Sequence, residues 1–181
     1  MDAFNSDHIY PFSFSLQTEE KSKLRGHTAT LECPIDVKSC GNLHSLKWFK
    51  GDDRVALVTA SGTSVEGPYS GRITIDHSPA GPYSKLIIKS VQVHDEEIYT
   101  CAIIYLNPSD SCNSSGSHKI KLNVLVTPST MQILDEAEQP IENGTMIGPL
   151  NEGQRLTSYC EARGGRPAPI VAWYSKEEKL H

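Results

Sequence analysis

The sequence predicts an all-β sandwich, and three observations predict it. Most of residues 12–126 divides into short stretches of apolar alternation with a period of two, bounded by Gly, Pro, Asp and Ser turn signals and free of any sustained helical period. Cys33 is followed fifteen residues on by Trp48, and later by Cys101. A Tyr two residues before that second Cys and an Asp six before it, in DEEIYTC, complete a spacing that few structural settings share.

The elements follow in chain order. Residues 1–11 are expected to form a disordered extension; with no basic region leading into an apolar stretch, they show no signal peptide. On a secreted reading, Met1 is then not the true start. TATLEC places Ala29, Leu31 and Cys33 on one strand face, and SLKWFK turns Leu46 and Trp48 inward. KGDDR supplies a Gly-Asp hairpin turn, after which RVALVTASGTSVEGPYSG leaves room for two further strands. SPAGPYS is a turn segment, and SKLIIKSV again sends Leu86 and Ile88 to one face. In HKIKLNVLV, Ile120, Leu122 and Val124 alternate with Lys119, Lys121 and Asn123, the pattern of a half-solvated strand. Thr127-Pro128 is expected to interrupt that strand, because Pro cannot donate to a ladder, and the division falls there: one domain over 12–127 and a partial second over 128–181. The second stretch repeats the opening of the first, with Cys160 and, thirteen residues later, Trp173. It stops before any partner for Cys160, which marks the chain as an expected fragment of a longer polypeptide.

Bulk properties exclude several classes. At 181 residues with 38% hydrophobic content, the chain can bury a core. Its 17 Lys and Arg against 22 Asp and Glu leave a net charge of −5, not the basic footprint of a nucleic-acid binder. No run reaches the roughly 18–20 apolar residues that a bilayer demands. Five cysteines admit either disulfides or metal and redox chemistry. Two glycosylation sequons, at Asn113 and Asn143, favour the secretory pathway, whereas Asn107 is disqualified by Pro108.

The segments CPIDVKSCGNLHSLKWFKGDDRVALV, VEGPYSGRITIDH, LIIKSVQVHDEEIYTC and IGPLNEGQRLTSYCEARGGRPAPIVAWY resemble arthropod cell-surface receptors of the immunoglobulin superfamily. Within it they are similar to the sidestep-like guidance and adhesion group, with its nephrin-like relatives. The resemblance implies a variable-type immunoglobulin sandwich followed by the N-terminal part of a second such domain. In that fold the two strand cysteines, here Cys33 and Cys101, lie on strands B and F and bridge the sheets, and the strand C tryptophan, here Trp48, packs on the bridge. Trp173 takes the same role in the second domain. Tyr99 fits the tyrosine corner, and Asp95 pairs with a basic residue opening strand D, here Arg72. Glu97 departs from the pattern, which has Gly or Ala. Cys40 and Cys112 fall in loops at one end of such a sandwich, so a second bridge is the economical inference. The competing zinc set of Cys40, His44, Cys112 and His118 matches no standard spacing. Cys160 is left unpaired.

No residue pattern points to catalysis. His27, His44, His77, His94 and His118 read as solvated loop or edge residues, and neither cofactor, metal nor small-molecule substrate is implied. The resemblance implies an extracellular module, on a type I membrane protein whose membrane segment lies outside this chain, binding another cell-surface protein in cell-cell recognition such as axon guidance. The partner is homophilic or heterophilic. Other readings are the ectodomain of a receptor enzyme and a soluble immune-recognition protein. Alternation nominates a partner-binding face: Lys47, Phe49, Ala102, Ile104, Lys119 and Lys121 point outward if Leu46, Trp48, Cys101, Ile103, Ile120 and Leu122 point inward.

Overall fold

A computed structural model describes residues 18–106, 108, 112 and 115–180. The expected N-terminal extension over 1–11 and the sequon residue Asn113 lie outside them.

Two sheets form as the alternation requires. One contains β1 (Glu19–Leu24), β9 (Ser115–Leu134), β8 (Glu97–Tyr105), β3 (Leu43–Lys50), β4 (Asp53–Thr59) and β5 (Gly62–Val65), hydrogen-bonded in that order. The other runs β2 (Ala29–Pro34), β7 (Tyr83–Ile88), β6 (Ile73–His77). All pairings within these two groups are antiparallel except β1 with β9, which is parallel. The segment between the KGDDR hairpin and β6 does supply two added strands, β4 and β5. The hairpin itself closes on Gly51 and Asp52, with Lys50 opposite Asp53. Gly51 sits at φ 55°, a left-handed value that glycine reaches without a Cβ clash.

Every residue assigned inward is buried. Leu31, Leu46, Trp48, Leu86, Ile88, Ile120 and Leu122 have no exposed surface and share one core. Cys33 on β2 and Cys101 on β8 form a disulfide that joins the sheets, and Trp48 lies directly opposite Cys101 on β3. A second disulfide joins Cys112 to Cys40, the last residue of the one-turn helix α1 (Val37–Cys40).

Below this core the chain ties a polar knot. Asp95, 3% exposed, closes a short 3₁₀ turn over Val93–Asp95. Its carboxylate accepts from Arg72 Nη1 at 2.7 Å, Arg72 Nη2 at 2.9 Å and the Gln92 N–H at 2.8 Å. The Tyr99 hydroxyl donates to the Asp95 carbonyl at 2.9 Å. Burial alone would raise the Asp95 pKa, but the guanidinium and the Gln92 N–H outweigh it and hold the carboxyl below its ordinary value. Burial pushes the Tyr99 phenol upward, so it remains a donor.

Three expectations are corrected. Thr127-Pro128 does not interrupt the strand: β9 runs unbroken from Ser115 to Leu134. The ladder changes partner instead. β1 pairs with β9 up to Leu125, whereas β11 (Tyr159–Arg166) pairs with it from Val126 onward. Pro128 is tolerated because its fixed φ suits extended backbone and it falls opposite Gly164, beside a bulge of β9 that leaves Ser129 out of register with β11. Gly164 has φ 74°, and a Cβ there would stand 3.1 Å from Ser129 Oγ. Secondly, Trp173 is not a core residue. It lies outside the strands, 41% exposed, beside the small hairpin of β12 (Tyr174–Ser175) and β13 (Glu178–Lys179). Among the described residues β11 joins only β9, at one end of which β10 (Pro140–Ile141) also pairs, and no second sheet lies over them. A strand tryptophan is buried only between two sheets. Cys160 is free.

The third concerns histidines. His77 is partly buried opposite the fully buried Ser84 on β7, and neither its Nδ1 nor the Ser84 Oγ has a hydrogen-bond partner among the described residues. Burial lowers the His77 pKa, with Asp76 opposing. His118 is also half-buried, with Nε2 2.9 Å from Glu19 Oε2. His44 and His94 are exposed as expected.

Two measurements check the knot and the buried histidine. In urea unfolding, Tyr99→Phe should cost about 1 kcal/mol and Arg72→Ala about 2–3 kcal/mol, the larger loss because it strands a buried carboxylate. Because His77 titrates below its unfolded value near 6.5, the unfolded chain binds the extra proton first; stability is full above that pH and falls as pH drops toward the folded pKa. His77→Gln should flatten the fall in stability as pH drops below about 6.5, and an unchanged slope would refute the assignment.

Candidate recognition face

The six-stranded sheet turns one side to the core and one to solvent, and cross-strand register determines what the solvent side displays. Phe49 on β3 lies opposite Arg54 on β4 and Thr100 on β8, which lies opposite Lys119 on β9. One row along, Leu57, Lys47, Ala102 and Ser117 stand side by side. The next row carries Thr59, Ser45 and Ile104. Ile98 stands opposite Lys121, which in turn stands opposite Glu20 on β1.

All six nominated residues therefore share one side of one sheet. Ile104 is 43% exposed, Lys119 and Lys121 are exposed, and Lys47, Phe49 and Ala102 are half-buried among their neighbours. Two apolar members were missed. Leu57 was not legible because RVALVT is apolar at both parities, so its outward residue depends on the β3–β4 bulge at Trp48/Phe49. Ile98, 40% exposed, follows from the alternation that places Tyr99 and Cys101 inward.

Charge on this side is segregated. Arg54 meets Glu66 at 2.9 Å and Lys121 meets Glu20 at 3.4 Å, both toward the sheet's edges. The centre holds Lys47 and Lys119, neither of which has an ion-pair partner among the described residues.

At one end of the face the second disulfide steadies the connecting loops. Ser39 N–H donates to Asp36 Oδ1 at 3.0 Å, and the Asp36 N–H donates to the Tyr105 hydroxyl at 2.9 Å, tying α1 to β8. Cys40 and Cys112 being joined, their thiolates are not available to the competing zinc set with His44 and His118. At the other end Glu96 accepts from the Val124 N–H at 2.9 Å and pairs with Arg166 of β11. The Arg166 guanidinium and the Val124 N–H hold the Glu96 carboxyl below its ordinary value. Asn143 sits exposed in a turn. No helix among the described residues is long and apolar enough to cross a membrane.

Two sheets pinned by a core disulfide over a buried tryptophan, a tyrosine corner closed on a buried Asp95 paired with Arg72, and two added strands beside the central hairpin define an immunoglobulin domain of the variable type. The pattern of the immunoglobulin V-set domain matches residues 17–125, and the chain belongs to that family. Among curated relatives, V-set and immunoglobulin domain-containing protein 1 of Xenopus laevis is 31% identical over 163 residues, 86% of this chain and 45% of the relative. Basal cell adhesion molecule of Homo sapiens is 24% identical across 87% of this chain and 24% of its own length. Synaptogenesis protein syg-1 of Caenorhabditis elegans is 27% identical across 82% of this chain and 18% of its own. The chain thus spans less than half the length of each of these relatives.

Proposed function

We propose that this chain is an extracellular recognition module, without enzymatic activity, that binds another cell-surface protein through the solvent side of the β1-β9-β8-β3-β4-β5 sheet. The observation that carries the reading is the apolar group of Phe49, Leu57, Ala102 and Ile104, contiguous over three strands of a lone sheet face that no other described element covers. Apolar centres with charged rims are the anatomy of protein interfaces, where aromatic anchors supply most of the binding energy. V-set membership, and similarity to proteins named for adhesion and synaptogenesis, support cell-cell recognition. We extend this to a membrane-anchored receptor of the sidestep-like guidance type, with a V-type unit over 12–127 and a second unit over 128–181. Localisation is then the outer side of the plasma membrane.

Phe49→Asp or Ile104→Asp should abolish staining of partner-bearing cells while the thermal unfolding midpoint stays within a few degrees of wild type. Normal staining by both folded variants would exclude this face. On the same reading Asn143, and Asn113 with it, are glycan acceptors. In chain secreted from eukaryotic cells, glycosidase treatment should increase gel mobility, and Asn143→Gln should reduce that shift; an unshifted wild-type band would count against the secretory route.

A further inference from the structure

The chemistry of the face goes further than its location, and resting on the docking reading above we infer that its partner is a different protein, one presenting carboxylates around an apolar centre, and not a second copy of this chain. The chain as a whole is acidic, at −5. Its recognition face is the reverse. β3 and β9 contain no Asp or Glu, and the one acidic residue of β8, Glu97, has the parity of the inward residues Tyr99 and Cys101. Four cations, Lys47, Arg54, Lys119 and Lys121, stand among Phe49, Leu57, Ala102 and Ile104.

A homophilic contact through this face would be self-complementary: each residue that touches another across the two-fold axis is touched in return. Such a contact needs anions within the patch to meet its cations. Glu66 and Glu20 stand only at the edges, and each is already engaged, with Arg54 and Lys121. Face-to-face copies would therefore set Lys47 and Lys119 against like charge around a desolvating apolar centre, the arrangement that suppresses a wrong partner. An acidic partner converts the same lysines into attraction and accelerates encounter. A sulfated glycan would satisfy the lysines but leave Phe49, Ala102 and Ile104 without a counterpart, so the observations favour a protein.

Fluorescent tetramers of this chain, applied at low and physiological salt to cells each displaying one extracellular protein, before and after heparinase, test the inference alongside beads coated with this chain alone. Beads should remain dispersed. Staining should survive heparinase and be lost in Phe49→Asp, with Ile104→Asp as the second probe should Phe49→Asp unfold. Lys47→Glu combined with Lys119→Glu should slow association about tenfold or more at low salt, the difference shrinking as salt rises. Bead clustering that Phe49→Asp abolishes, or staining removed by heparinase, would overturn the inference. Staining lost in Phe49→Asp yet indifferent to lysine reversal would also overturn it while leaving the face intact; staining indifferent to Phe49→Asp and Ile104→Asp would instead remove the docking reading itself.

Discussion

Cys33 and Cys101 meet across the sandwich, and the parity they impose runs through both sheets. A strand side chain has only two sides to choose from, so fixing Cys101 inward fixes Ala102 and Ile104 outward, and the β3–β8 register carries the same choice to Trp48 and Phe49. The core and the proposed recognition face are one decision seen from two sides. A slip of one residue in β8 would bury Thr100 and Ala102 and expose the tyrosine corner.

The Asp95 knot protects that decision at the point where β8 begins. Arg72 comes from the approach to β6 in one sheet and Tyr99 from β8 in the other, so the carboxylate and its own carbonyl bind elements of both layers. Disulfide and knot thus clamp β8 near its middle and at its start. The Cys40–Cys112 bridge and the Asp36–Tyr105 hydrogen bond hold the far end.

Much of this was legible in the sequence because an antiparallel sheet with one wet face writes its parity directly into apolar alternation. The inward sets of β2, β3, β7, β8 and β9 could be read from TATLEC, SLKWFK, SKLIIKSV, DEEIYTC and HKIKLNVLV, and every member is buried. What could not be read depended on events without local signature. Leu57 belongs to the face only through a bulge. Pro128 reads as a terminator from its missing N–H, but the bulge of β9 at the neighbouring Ser129 that accommodates it has no local signature. Trp173 carries the same local motif as Trp48, yet burial belongs to two layers together, and only one stands beside it here. His77 shows a solvated residue type drawn under the sheet by register with Ser84.

The unbroken passage of β9 from one ladder to the next has a mechanical consequence. A tether with a flexible linker would deliver a pull to the end of a terminal strand and peel its hydrogen bonds one at a time. Here a pull on β11 enters β9 along its own axis, and β9 is gripped on one side by β1 and on the other by β8. The load is then shared in shear by two ladders at once, with Glu96 and Arg166 resisting rotation at the handover. The strand that bears Lys119 and Lys121 would then also carry the load, so a pull on β11 would reach the proposed recognition face directly.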